Sequence, residues 1–118
     1  MLFLGLGTGL GSALIVDGVL EPMELAHLPY KKGKTYEDYV GLRGLERLGK
    51  KKWRKNVADV VERLKMALAA DYVVLGGGNA KFLLEHMKEL PKDVRLGANE
   101  NAFLGGFRLW EQERKSAR

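Results

Sequence analysis

The chain has 118 residues, 46% of them hydrophobic and 30% charged, and this composition predicts a single folded domain. The absence of cysteine excludes disulfides, thiolate zinc sites and cysteine nucleophiles, and it is typical of a cytoplasmic protein. Twenty Lys and Arg against fifteen Asp and Glu give a net charge of +5, which suits a polyanionic partner. The start of the chain lacks the basic segment of a signal peptide, and no apolar run approaches the roughly 20 residues that cross a bilayer, so no membrane association is expected.

The first thirty residues predict three antiparallel strands in a meander. Short apolar runs rich in strand formers occur at residues 2–5, 12–17 and 19–20. The dipeptide Asp17-Gly18 between the last two runs is typical of a tight hairpin turn. Gly7-Thr8-Gly9 is predicted to form the first turn of the meander.

The middle of the chain predicts helices after a basic, polar segment at residues 29–34. Thr35 and Asp38 have the spacing of a capping box, so a helix is expected to begin at Tyr36. Three glycines are expected to break the following region into short helical pieces, because each weakens a helix: Gly41, Gly44 and Gly49. Apolar residues then recur at helical spacing, which predicts a longer helix over residues 51–70.

The second half alternates strands and helices. An apolar run at residues 72–75 predicts a strand buried on both faces, and helical periodicity follows up to Pro91. A further strand is expected at residues 94–96 and a last helix at residues 101–112. An antiparallel meander followed by this alternation predicts an α/β fold with a mixed sheet and helices packed on it.

Gly7-Thr8-Gly9 lies in the densest glycine cluster of the chain. Glycines let main-chain N–H groups approach an anion, and the Thr8 hydroxyl between them can donate to a phosphate oxygen. The cluster fits neither the dinucleotide fingerprint nor the Walker A pattern. A phosphate-binding loop is therefore one interpretation, and a glycine-rich hairpin turn is the other.

Gly76-Gly77-Gly78-Asn79 lies where the buried strand ends and a helix begins. The carboxyl ends of strands in open α/β sheets form the crevice that binds ligands, and a helix N-terminus offers free amides. Three consecutive glycines indicate a flat ligand lying against bare backbone, although a flexible turn would also contain glycine. Asn79 is predicted to be the N-cap of the helix.

Other polar groups carry weaker signals. Glu24 and His27 can hydrogen-bond adjacent sugar hydroxyls, or they are simply solvated. His27 and His86 lack a third ligand at suitable spacing, so no metal site is predicted. Lysine-rich runs at residues 31–34 and 50–55 suit an extended phosphate backbone or form a solvated face. The sequence shows no Ser-His-Asp arrangement and no evident general base beside the first glycine cluster.

In this order, these motifs resemble the carboxyl-terminal half of a ROK (repressor, open reading frame, kinase) family sugar kinase, nearest to the polyphosphate glucokinases. The resemblance implies that residues 1–118 form one ribonuclease-H-like lobe of the actin-like ATPase fold. It implies phosphate binding by Gly7, Thr8 and Gly9. It implies nucleotide binding by Gly76, Gly77, Gly78 and Asn79, and sugar binding by Glu24 and His27. The expected substrates are a hexose such as glucose and ATP or polyphosphate, with Mg²⁺ and without zinc.

The same resemblance leaves no catalytic residue in this chain. Family kinases carry a catalytic Asp in an amino-terminal lobe, and the group that orients the attacking hydroxyl would have to come from there. We therefore expect a truncated product or expressed fragment that is inactive alone and that self-associates or pairs with the missing lobe. The alternatives are a sugar or nucleotide sensor from the regulators of this family and, least favoured, a basic nucleic-acid-binding module, because the lysine runs lack interleaved aromatics.

Overall fold

The structure is a computed structural model that describes residues 1–97, so the helix predicted at residues 101–112 lies outside it. In chain order the elements are β1 (Leu2–Leu6), β2 (Leu10–Val16), β3 (Val19–Pro22), β4 (Pro29–Lys31), β5 (Lys34–Thr35), α1 (Tyr36–Val40), α2 (Leu42–Ala67), β6 (Val73–Gly76), a 3₁₀ helix (Gly78–Glu89) and β7 (Val94–Leu96). Within these residues, no helix is both long enough and apolar enough to span a membrane.

Five strands form one mixed sheet in the order β3-β2-β1-β6-β7. The pairs β1–β2 and β2–β3 are antiparallel, whereas β1–β6 and β6–β7 are parallel. Asp17 and Gly18 both have positive φ, 51° and 79°, which is the backbone of a tight type I′ hairpin turn. The predicted meander and the predicted α/β class with a mixed sheet are confirmed.

One face of the sheet packs on α2 and forms the main core. Alternate residues of β1, Leu2, Leu4 and Leu6, meet the apolar face of α2 in this core, whereas Phe3 points to the other face of the sheet. Trp53 of α2 is fully buried, and its indole N–H donates to the Val40 carbonyl at 3.0 Å. This bond and the surrounding packing fix the end of α1 against α2.

The break expected at Gly49 is confirmed, whereas the break expected at Gly44 is wrong. Two helical stretches of α2 meet across a kink at Gly49, where φ is 81°, and the second stretch is the helix predicted over residues 51–70. Gly44 does not break the helix. It lies buried inside it, and a Cβ there would approach the Tyr39 carbonyl oxygen to 2.1 Å, so the glycine allows α1 and α2 to pack closely.

The helix expected between β6 and Pro91 is a 3₁₀ helix with a kink at His86. Its two buried residues, Ala80 and Leu83, are three positions apart, which is the period of a 3₁₀ helix. Leu84 is 63% exposed. The tighter winding therefore turns Leu84 away from the core.

Candidate functional site

The two glycine clusters lie side by side at one edge of the sheet. Gly5 of β1 is paired with Gly76 of the parallel strand β6, so the segments that follow both strands leave the sheet together. We call residues 7–9 the first glycine loop and residues 76–79 the second. The side-chain amide of Asn79 donates to the Gly7 carbonyl at 3.3 Å and joins the two loops.

The first glycine loop is held by its main chain and presents one side chain. The Gly7 N–H donates to the Gly9 carbonyl at 3.2 Å, and the Thr8 carbonyl accepts from Leu42 N–H at 3.1 Å. Within residues 1–97 the Thr8 hydroxyl has no hydrogen-bond partner, and the residue is exposed. This hydroxyl is therefore open to a ligand.

A carboxylate that the sequence did not reveal lies against this loop. Glu37 of α1 accepts a hydrogen bond from Leu10 N–H at 3.3 Å, and its own N–H donates to the Ala26 carbonyl at 3.0 Å. Because acidic residues are common in the first turn of any helix, the position carried no functional signal. The sequence shows no evident general base beside this loop, and α1 places the Glu37 carboxylate there.

A cavity of about 190 Å³ opens beside Thr8 and Gly9, lined also by Glu37, Asp38 and Arg43. The backbone N–H and the hydroxyl of Thr35 hydrogen-bond the Asp38 carboxylate and hold its pKa below the usual range. Both carboxylates are thus committed to neighbouring donors, whereas no carboxylate of the described chain forms an ion pair with the Arg43 guanidinium. The cavity therefore holds an open hydroxyl and the Arg43 cation, whose charge also attracts the Asp38 carboxylate.

In the second glycine loop, the backbone requires glycine at position 77, whereas position 78 has space for a side chain. Gly77 has a φ of +86°, and a Cβ there would lie 2.5 Å from the Leu6 carbonyl oxygen. Gly78 is exposed, and a Cβ there would meet no atom within 4 Å. The predicted N-cap role of Asn79 is wrong. Gly77 occupies that position, because the helix starts at Gly78, two residues earlier than expected, and the Asn79 amide is used by the first glycine loop.

A second cavity, of about 300 Å³, lies against the second glycine loop. It is lined by Gly77, Gly78, Ala80, Lys81, Leu84, Leu96 and Gly97. Bare backbone at the glycines and two leucine side chains give it a largely apolar wall, with one cation at Lys81. Such a wall accepts a flat apolar ring, and the cation suits an attached anion.

Glu24 and His27 are both exposed and flank a turn in which the Leu28 N–H donates to the Leu25 carbonyl at 3.2 Å. The turn is anchored at both ends. Ser12 holds one end, its hydroxyl donating to the Met23 carbonyl at 3.0 Å, and the Ala26 bond to Glu37 holds the other. Within the described chain, neither Glu24 nor His27 hydrogen-bonds either glycine loop. The connection between this turn and the first loop runs through α1.

The histidines and the lysine runs singled out in the sequence do not form one site. His86 contacts the Glu89 carboxylate at 2.7 Å, and residues 1–97 contain no group of three His, Cys, Asp or Glu able to hold a metal ion. Of the two lysine runs, Lys31, Lys32 and Lys34 share a cavity with Lys52 and Lys55. Lys50 lies instead over the Phe82 ring, at 4.5 Å.

The fold is similar to that of sugar kinases. Over 82% of its length the chain superposes with TM-score 0.70 and 28% identity on the inorganic polyphosphate/ATP-glucomannokinase of Arthrobacter sp. strain KM, covering 39% of that chain. A candidate sugar kinase from Cytophaga hutchinsonii matches with TM-score 0.53 and 20% identity. The match covers 86% of this chain and 54% of that kinase, and at this identity it shows the fold alone. The chain thus spans about two fifths and about half of these relatives. No family model and no curated protein matches it.

Proposed function

We propose that this chain is the carboxyl-terminal, ribonuclease-H-like lobe of a ROK-family hexose kinase, which transfers a phosphoryl group from ATP or polyphosphate to glucose or a related hexose. The observation that carries the proposal is the pair of glycine loops on neighbouring parallel strands, joined by the Asn79 bond to Gly7. Such an edge is where open α/β sheets bind their ligands. The likeness to a polyphosphate/ATP-glucomannokinase supports the same class of reaction.

The first glycine loop would bind the phosphate. The Thr8 hydroxyl donates to a phosphate oxygen, and Arg43 across the cavity balances the negative charge. The Glu37 carboxylate repels an anion from the Gly9 side, so the phosphate is directed toward Thr8. Mg²⁺, which neutralises charge on the transferring phosphoryl group, would take most of its ligands from phosphates and water. Of the two carboxylates that line the cavity, Glu37 would hold it, because Glu37 accepts from one neighbouring donor and Asp38 from two.

The second glycine loop would bind the base of a nucleotide donor. A flat ring can lie on Gly78, because the space above its backbone is open. Leu84 and Leu96 supply apolar contact on either side, and the exposure of Leu84 in the isolated chain is consistent with a surface that a ligand covers. Lys81 is placed to attract the phosphates.

The turn at residues 24–27 would bind the sugar. Glu24 and His27 offer an acceptor and a group able to donate or accept, which suits neighbouring hydroxyls. The Glu37 N–H bond to the Ala26 carbonyl ties this turn to the helix that contacts the first glycine loop. The group that orients the attacking hydroxyl is proposed to come from a second lobe, so this chain by itself binds without turnover.

Calorimetric titration of MgATP into the 118-residue chain tests the proposal. We expect a dissociation constant on the order of millimolar, about 4 kcal/mol, because only one side of the site is present. Thr8→Val should weaken binding about fivefold, since it removes one donor while keeping the shape. Thr8→Ser keeps the hydroxyl and serves as the matched control, with binding close to that of the unmodified chain.

The thermal unfolding midpoint of all three proteins must agree, which shows that the fold is unchanged. The proposal is contradicted if the folded chain binds no phosphate donor, or if Thr8→Val binds MgATP as well as Thr8→Ser does.

A further inference from the structure

A basic groove lies between the β4–β5 hairpin and α2, away from the glycine loops. It has a volume of about 390 Å³, and its charged lining consists of Lys31, Lys32, Lys34, Arg47, Lys52 and Lys55. No acidic side chain of residues 1–97 lines it. Six cations around one groove repel each other, so the arrangement is one that a polyanion would stabilise.

Local backbone geometry explains why the lysines converge. Lys32 and Gly33 have φ of 54° and 72°, which makes a tight turn between β4 and β5 and keeps the lysines of both strands together. Lys52 and Lys55 are three residues apart on α2 and therefore share a face of that helix. The hairpin was not predicted, because its strands are only three and two residues long.

Within residues 1–97 the cations of the groove form no ion pairs, whereas three other cations on α2 do. Arg54 contacts Glu89 at 3.5 Å, Arg63 contacts Asp59 at 2.9 Å and Lys65 contacts Asp93 at 3.8 Å. Among the residues the structure describes, no carboxylate forms an ion pair with any of the six groove cations. The groove therefore has positive charge that no ion pair of the described chain neutralises. Lys34 also attracts the Asp38 carboxylate, and Arg47 donates to the Asp38 carbonyl at 3.2 Å.

The aromatic rings near the groove are already covered. Tyr30 stacks on Tyr36 with 5.1 Å between ring centroids, and Lys31 lies over both the Tyr30 and Tyr39 rings, at 5.0 and 5.1 Å. Arg47 also lies over Tyr39, at 5.0 Å. Single-stranded nucleic acids gain affinity by stacking bases on open rings, whereas Tyr39, the aromatic residue that lines the groove within residues 1–97, is buried. The charge suits a phosphate chain without bases.

We propose that the basic groove binds the distal part of an inorganic polyphosphate chain whose terminal phosphate occupies the first glycine loop. The inference rests on the proposed function and selects its donor. Arg43 and Arg47 connect the two places, because they lie one turn apart on α2, about 6 Å along its axis. Arg43 lines the Thr8 cavity and Arg47 lines the basic groove. Asp38 lines the Thr8 cavity and its carbonyl accepts from Arg47 at 3.2 Å, while its carboxylate is occupied by Thr35.

Binding of long-chain polyphosphate, tripolyphosphate and MgATP to the 118-residue chain tests this inference. The double variant K52A/K55A should bind long-chain polyphosphate about tenfold more weakly and lower the slope of log affinity against log salt by roughly 1.5, since each phosphate contact contributes about 0.7 to 0.9. Tripolyphosphate and MgATP, which are short enough to bind at the glycine loops alone, should bind as before. The control K88A/K92A removes the same charge from exposed positions outside the groove. It should change the affinity less than twofold.

Several results would overturn the inference. Equal weakening by K52A/K55A and K88A/K92A would indicate plain charge attraction. A single-stranded RNA that binds more tightly than polyphosphate of equal charge, and is released by K52A/K55A, would make nucleic acid the ligand. If MgATP binds but long-chain polyphosphate binds no better than tripolyphosphate, the groove assignment fails and the proposed function stands. If K52A/K55A weakens long-chain polyphosphate but Thr8→Val leaves its affinity unchanged, the chain end does not occupy the first glycine loop and the inference fails.

Discussion

The two glycine loops lie at the same edge of the sheet, yet they need glycine for different reasons. In the first loop a side chain would crowd another residue's carboxylate, because a Cβ at Gly9 would lie 3.0 Å from Glu37 Oε2. In the second, Gly77 packs its own backbone onto Leu6 with positive φ. The first loop therefore depends on where α1 places Glu37, whereas the second is fixed by contact within the sheet. Two loops that are both rich in glycine therefore differ: the position of α1 sets the first, and contact within the sheet fixes the second.

Gly77→Ala should have the largest effect, because it disrupts the backbone contact between the second glycine loop and Leu6. The left-handed backbone costs a non-glycine residue about 1–2 kcal/mol, and the added methyl group would meet Leu6 backbone atoms that cannot move without distorting β1. We expect a loss of at least about 3 kcal/mol in the free energy of unfolding, measured by urea denaturation.

Gly78→Ala is the matched control for that change. The backbone at Gly78 is outside the left-handed region, and the methyl group would meet no atom within 4 Å. Its free energy of unfolding should stay within about 0.5 kcal/mol of that of the unmodified chain. Equal losses in the two variants would show that the second loop is not held by contact at Gly77.

A smaller effect is expected at the capping box, which positions α1 and hence Glu37 at the first loop. Thr35→Ala should cost about 1 kcal/mol at neutral pH, because it removes the acceptor for Asp38 N–H. Asp38→Asn should also destabilise the fold at pH 7. The hydrogen bonds from Thr35 N–H, at 2.8 Å, and from its hydroxyl, at 3.0 Å, favour the charged carboxylate and lower its pKa.

The sign of the pH dependence follows from that lowered pKa. The carboxylate contributes its full stabilisation above the unfolded value of about 3.9, and this is lost as the pH falls through the lower folded value. The difference in unfolding free energy between Asp38→Asn and the unmodified chain should therefore shrink from pH 7 toward pH 2. A difference that stays constant over this range would show that the Asp38 charge plays no part in holding α1.

The sequence predicts those parts of the fold that local signals determine. Asp17-Gly18, the spacing of Thr35 and Asp38, and the apolar run of β6 each determine a turn, a cap or a buried strand by themselves, and all three were confirmed. The inclusion of Gly44 in α2 and the 3₁₀ winding after β6 were missed. Both depend on packing against another element, which the sequence of a single segment does not contain.

In the candidate site, too, local signals indicate some features, and contacts between distant segments determine the others. Glycine content alone indicated both loops, and the order of strands placed them at one edge. Glu37 and Arg43 were not indicated, and Asn79 was indicated without its bond to Gly7. The contacts of Glu37 and Asn79 join positions 27 and 72 residues apart in the sequence. No local pattern indicates such contacts. The sugar-binding roles of Glu24 and His27 remain predictions.

The central claim is that the two glycine loops form one anion-binding crevice, and titration of MgATP into the isotopically labelled 118-residue chain tests it most directly. We predict amide shifts at residues 7–11 and 76–78 that saturate together, with those of residues 7–11 reduced in Thr8→Val. Shifts spread over the lysines at residues 31–34 and 50–55, with none at the two loops, would mean charge attraction without a site and would contradict the account.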